Sequence, residues 1–106
     1  MTWYKKYLSV YEQPLQEAPQ EIIREIKTKI EKLQSDTPLV SVVIIAYNEE
    51  KHLLANLWSL SDSECQYPME IIGVDNDSSD KTAEIFNMTG VILEVHWTTG
   101  GGNWET

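Results

Sequence analysis

A chain of 106 residues with 42% hydrophobic and 24% charged side chains has the composition of one globular domain or a piece of a larger one. Its formal charge of −9 belongs to one part: residues 1–37 hold six basic and six acidic side chains, whereas residues 38–106 hold only Lys51 and Lys81 against eleven acids. That balance argues against nucleic-acid binding, which needs clustered Lys and Arg to neutralise phosphates.

No stretch has the apolar length of a membrane span. The residues after Lys5 and Lys6 are aromatic and polar rather than an apolar leader core, so a cytoplasmic location is expected. Cys65 is the only cysteine; it has no partner thiol for a disulfide or a metal site and is expected to be a partly buried small apolar residue.

Trp3, Tyr4, Tyr7, Leu8 and Tyr11 recur at helical spacing and predict a short helix with an aromatic stripe over Trp3–Gln13, ended by Pro14. Pro19 suits a first helical turn, and Ile22, Ile23, Ile26, Ile30 and Leu33 mark the apolar face of a helix from about Pro19 to Gln34. Glu25 and Lys29 form an i,i+4 pair expected on its solvated side. Ser35-Asp36-Thr37-Pro38 is a turn-rich link at the charge boundary.

Leu39 to Ile45 is apolar and mostly β-branched, broken only by Ser41, which predicts a strand buried on both faces of a parallel sheet. Tyr47, Asn48 and Glu49 follow at its carboxyl end. Asn48 is expected to cap a helix reaching about Leu60, with Leu53, Leu54, Leu57 and Trp58 buried and His52 a surface histidine on the polar side. A second strand, Met69 to Val74, leads into Asp75-Asn76-Asp77-Ser78-Ser79-Asp80. Ser79 or Asp80 is expected to cap a helix from Lys81 to about Asn87, and Val91 to Val95 is a third strand after Gly90.

A β-α-β-α-β order with short loops implies two right-handed crossovers and a parallel sheet in the order 3-2-1. The loops after the first two strands then end side by side, at the edge where open α/β sheets bind ligands. Tyr47, Asn48, Glu49, Asp75, Asn76 and Asp77 are expected to face one crevice. An aromatic ring beside carboxylates and amides suits a nucleobase; as the alternative, Asn48 and Ser79 are helix caps and the acids complement helix N-termini. Neither Gly-x-Gly-x-x-Gly nor a P-loop is present, and the third strand ends Val95-His96-Trp97 without an acceptor aspartate. Dinucleotide-binding, P-loop and receiver-like readings are therefore disfavoured. An acidic crevice needs a divalent cation or a basic residue from elsewhere to hold a diphosphate.

The stretch Ser41-Val-Val-Ile-Ile-Ala-Tyr-Asn-Glu-Glu50, then a helix, then Glu70-Ile-Ile-Gly-Val-Asp-Asn-Asp-Ser-Ser-Asp-Lys-Thr82, resembles the opening of family 2 glycosyltransferases. The resemblance covers about residues 38–95, and the preceding helical segment looks like the leader of a bacterial subgroup. It implies an α/β, Rossmann-like three-layer α/β/α fold of the GT-A, nucleotide-diphospho-sugar transferase type. Residues 1–37 would be a helical arm and residues 38–106 a truncated GT-A domain.

By the same resemblance Tyr47 and Glu49, with Asp75 and Asn76, would hold the base and ribose of a nucleotide-sugar donor whose sugar passes to an acceptor hydroxyl. The family often has two aspartates where this chain has Asp75-Asn76, and glycine where it has Asp77, which leaves the choice of base open. A divalent metal, Mg or Mn, is expected for the full-length enzyme, but no Asp-x-Asp follows the third strand and no catalytic carboxylate is identified here. The 106-residue chain alone is therefore expected to be inactive. Trp97 and Trp104 in the tail have the chemistry to stack on a sugar, with packing or a disordered end the plainer expectation. The alternative function is a non-catalytic binding or assembly module. In either case a homodimer through the first strand's edge or the N-terminal helices is expected, because truncation leaves that edge unpaired.

Overall fold

The computed structural model describes residues 5–95. Lys5–Val10 and Leu15–Glu17 form short 3₁₀ helices, followed by α1 (Gln20–Leu33), β1 (Val40–Ala46), α2 (Glu50–Ser61), β2 (Met69–Asp75), α3 (Thr82–Met88) and β3 (Ile92–Val95). The strands form one parallel sheet in the order β1-β2-β3, as expected. Register runs Val43↔Ile72↔Ile92 across the three strands, and Ala46↔Asp75 at the carboxyl ends.

In this order both right-handed crossovers return on the same side, so α2 and α3 share one face of the sheet. Burial alternates accordingly. Met69, Ile71, Gly73 and Asp75 of β2 point under the helices, where Leu53, Leu57, Ile85 and Phe86 complete the core. Only one helical layer of the expected two lies among the described residues.

β1, expected to be buried on both faces, leaves one face exposed. Val43 and Ile45 are 53% and 61% exposed, and Leu39, just before the strand, is 74% exposed. Composition misleads here because an apolar run records what the strand is built to meet, whereas exposure depends on which elements lie beside it.

The N-terminal segment departs from its expected form as well. The short helix expected over Trp3–Gln13 is a 3₁₀ helix over Lys5–Val10; Leu8 and Tyr11 are exposed, and Trp3 and Tyr4 lie outside the described residues. Tyr7 packs edge-on against Trp58, with ring centroids 5.5 Å apart. Val10 and Leu15 join Ile23, Ile26 and Ile30 of α1 in the same core as α2 and β2. Part of the apolar surface of the N-terminal segment is thus buried within the chain, while Leu8 and Tyr11 stay exposed.

Gln34, just past α1, extends the sheet. Its Nε2 donates to the carbonyls of Ile71 (3.1 Å) and Gly90 (3.0 Å), and its Oε1 accepts the N–H of Ile71 (2.8 Å). The side-chain amide stands in for a peptide unit beside β2, next to where β3 begins. Cys65 is exposed rather than partly buried, on the loop between α2 and β2.

The Glu25–Lys29 pair is not a solvated-face feature. Lys29 Nζ donates to Glu25 (2.9 Å) and to Asp62 (2.5 Å), Trp58 Nε1 donates to Glu25 (2.9 Å), and Tyr7 donates its hydroxyl to Asp62 (2.7 Å). Lys6 adds an ion pair to Asp62 at 2.7 Å. Burial acts to raise the Asp62 pKa, but the hydrogen bonds from Lys29, Lys6 and Tyr7 outweigh it and bring it from 3.8 to about 2. This network ties the N-terminal segment and α1 to the end of α2, away from the strand-end loops.

Candidate functional site

β1 and β2 end in register, and the N–H of Asn76 donates to the carbonyl of Ala46 at 3.0 Å, so the two following loops leave the sheet together. Each turns sharply at its second residue: Asn48 has φ 51° and Asp77 φ 58°. Both are in the left-handed region, which Asn and Asp enter more readily than other non-glycine residues. The Asn48 side chain therefore does not cap α2. Its Oδ1 instead accepts the N–H of Ser79 at 2.8 Å, across the two loops.

The amides that open α2 are taken by the second loop. Asn48 N–H donates to Ser78 Oγ (2.9 Å), Glu49 N–H to Thr82 Oγ1 (2.9 Å) and Glu50 N–H to Asp80 Oδ2 (3.1 Å). In return, Lys81 N–H donates to Glu50 Oε1 at 3.3 Å. Asp80 also accepts the N–H and the hydroxyl of Thr82 at the start of α3. The sequence assigns Asp80 to α3 alone; in the structure it serves both helices.

Burial pushes the Asp80 carboxyl up, but the Thr82 hydroxyl, with the Thr82 and Glu50 amides, holds it below the usual carboxylate range, so it stays ionised. A helix N-terminus with free amides is a ready anion site. Here the amides of Asn48, Glu49 and Glu50 already have partners in the second loop.

The four sequence-predicted residues occupy this region in different ways. Asp75 is buried, 5% exposed, and accepts the N–H of Ser78 at 3.2 Å. Asn76 is half-buried beside it, and Tyr47 is 58% exposed on the adjoining loop. Glu49 faces elsewhere: its carboxylate lies 3.0 Å from His52 Nδ1 and lines a cleft of about 320 Å³ with Tyr11, Ile45, Ala46, His52 and Asn56. The structure thus sets Tyr47 alongside Asp75 and Asn76 through the backbone, with the Glu49 carboxylate in a neighbouring cleft. His52 is part of that cleft, 38% exposed, rather than a bare surface residue.

Sequence reasoning missed Glu50, Ser78 and Thr82. The density of hydroxyl and carboxylate residues over 77–82 was the available signal. Among the described residues no group of three or more His, Cys, Asp or Glu stands arranged to hold a metal ion. Asp75, Glu50 and Asp80 accept N–H groups, and the Glu49 carboxylate contacts His52. These residues do not fit a divalent-metal site, and no chemical step is routed through one. Trp97 and Trp104 lie outside the described residues, and no helix among the described residues is long and apolar enough to cross a membrane.

Residues 41–94 match the model of Glycosyl transferase family 2. The chain is also 41% identical, over 69 residues, to a 4,4'-diaponeurosporenoate glycosyltransferase of Staphylococcus haemolyticus (strain JCSC1435). That match takes in 64% of this chain and 18% of the relative, so the chain spans under a fifth of that protein's length. No solved structure matches the chain at a significant level. The family match runs from β1 through both strand-end loops into β3, and takes in half of the chain: the protein belongs to glycosyl transferase family 2.

Proposed function

We propose that the paired loops at the carboxyl ends of β1 and β2 form the nucleotide-facing part of a sugar transferase. The donor would be a nucleotide-diphospho-sugar and the acceptor a hydroxyl group. Tyr47 offers an exposed ring on which a base can stack. Asp75 and Asn76 offer a carboxylate and an amide for the base edge and ribose, and Glu49 a further carboxylate from the adjoining cleft. One observation carries this reading: the Ala46↔Asp75 register, closed by the Asn76–Ala46 hydrogen bond, brings the two motifs together at the edge of the sheet where ligands bind.

The described residues bind and orient; they include no assigned base for the acceptor proton. A divalent cation on the diphosphate would need ligands beyond these, since no Asp-x-Asp follows β3. The compound in the staphylococcal relative's name belongs to that protein, and what carries over is glycosyl transfer alone.

The test is a chemical-shift titration of the chain with UDP and with GDP. We expect millimolar binding, about −4 kcal/mol, with shifts centred on Tyr47 and residues 75–77, weakened by Tyr47→Ala and by Asp75→Asn. Shifts centred elsewhere, or insensitive to both substitutions, would overturn the reading.

The open outer edge of β1 favours a second reading, an assembly module that keeps the fold and associates through that edge.

A further inference from the structure

The segment from Tyr11 to Leu15 clasps the first turn of α2. Glu12 donates its backbone N–H to Lys51 O at 2.6 Å while holding φ at 60°, a strained value for a residue with a side chain. The Tyr11 ring lies tilted over His52, with centroids 4.7 Å apart. Leu15 N–H donates to Glu50 Oε2 at 2.9 Å, and the other oxygen of the same carboxylate accepts Lys81 N–H at 3.3 Å.

An acidic residue in the first turn of a helix is ordinarily explained by the helix dipole, which needs only that its charge lie near its own helix's amides. Glu50 does something else. Its two oxygens meet amides from two segments outside α2, one N-terminal to α1 and one on the loop that follows β2. Its own N–H meanwhile goes to Asp80, the neighbour of Lys81, so Glu50 and Asp80 each accept an amide from the other's segment. The first loop cannot shift without pulling on the second, and the Glu50 carboxylate joins the second directly to the N-terminal segment.

We propose that Glu50 is a positioning residue of the nucleotide-facing site, coupling the N-terminal segment to the loop between β2 and α3 so that the two order together. This rests on the reading of that loop as nucleotide-facing. Glu50 touches no ligand in this scheme; it acts through the amides of Leu15 and Lys81. Gln at this position keeps the shape but has only one acceptor oxygen, so it can hold one of the two amides and not both.

A double-mutant cycle on the whole chain tests the coupling, with amide hydrogen exchange read residue by residue at Ser79 and Lys81 and, as a control, in β2. The variants are Tyr11→Ala, Glu50→Gln and the two combined. Tyr11→Ala loosens the clasp at a residue whose ring partner is His52, not the second loop. We expect it to speed exchange at Lys81 and Ser79 by about tenfold, the scale of one hydrogen bond to a charged group, and to leave β2 unchanged. In the Glu50→Gln background the same substitution should add nothing.

Additive effects, or exchange at Lys81 that ignores Tyr11→Ala, would reduce Glu50 to a local cap and overturn the proposal. The Tyr11→Ala measurement needs no change at Glu50, so a null result there overturns the proposal even if Glu50→Gln does not fold. A parallel UDP titration separates the two readings. Failure of the unsubstituted chain to bind UDP or GDP counts against the nucleotide site, while the exchange cycle still decides the coupling. If the unsubstituted chain binds, each single variant should weaken binding, and the double variant should be no weaker than Glu50→Gln.

Discussion

The ring of Phe86 on α3 lies so close to Gly73 on β2 that a methyl group built at residue 73 would meet its Cδ1 at 2.5 Å. Phe86 is fully buried, so its ring has little room to retreat. Gly73 also pairs in register with Ile44 and Leu93, at the middle of the sheet. Gly73→Ala should therefore destabilise the fold by about 1–3 kcal/mol through overpacking. The urea midpoint should fall with the slope unchanged, and Phe86→Leu in the same chain should restore part of the loss. An unchanged midpoint for Gly73→Ala alone would show that α3 yields at no cost.

Asp62 sets an acid limit on stability. Its folded pKa of about 2 lies below the unfolded value of 3.8, so its contribution is complete above about pH 4 and disappears as the pH falls toward 2. The carboxylate is 21% exposed, and a depression of this size is worth on the order of 2 kcal/mol. Asp62→Asn should lower stability at neutral pH by about that amount and flatten the dependence between pH 4 and pH 2. Denaturant midpoints measured across that window check the prediction. Equal slopes in both proteins would place the acid sensitivity in other carboxylates.

The outer edge of β1 is expected to pair with its counterpart in a second copy. Pro38, which lacks an N–H, and Asn48, with φ 51°, bound the run that can pair, and no charged side chain lies between them. An antiparallel pairing centred on Val43 sets Val40 against Ala46 and Ser41 against Ile45, which brings no like charges together in a chain of net charge −9. Val10, Leu15 and Ile23, Ile26 and Ile30 of α1 are buried within the chain and are not available for association. Sedimentation over a concentration series should show a dimer that Val43→Lys abolishes, because two lysines would then face each other. A monomer at every concentration would sink the idea.

Cys65 should react quickly with a thiol reagent in the native protein, because it is exposed. Modification that waits for denaturant would contradict that placement.

The order, type and approximate bounds of α1 to α3 and β1 to β3 were legible because they rest on local signals: the isoleucine spacing of α1, the β-branched run of β1, and the turn residues at 75–80. The features that were not legible depend on partners distant in the chain. Glu25 and Lys29 read as a solvated pair until Asp62 and Trp58 arrive from α2. Asn48 read as a cap for its own helix, but its left-handed backbone turns the amide toward Ser79. Of the site, the adjacency of Tyr47 and Asp75–Asn76 followed from parallel pairing alone. That the Glu49 carboxylate faces His52 did not, because it depends on a rotamer and on the path of the N-terminal segment.

The amide of Gln34 carries a consequence for the lifetime of the molecule. Primary amides hydrolyse slowly in water, and the product here would be a carboxylate of almost the same shape. Its new oxygen would stand where Nε2 now donates to the carbonyls of Ile71 and Gly90, so two attractive contacts would become repulsions between acceptors. The seam between α1, β2 and the start of β3 would weaken with age, one molecule at a time, without any change of gene or solvent. A stored preparation would become a mixture whose older members hold the end of α1 to the sheet less tightly.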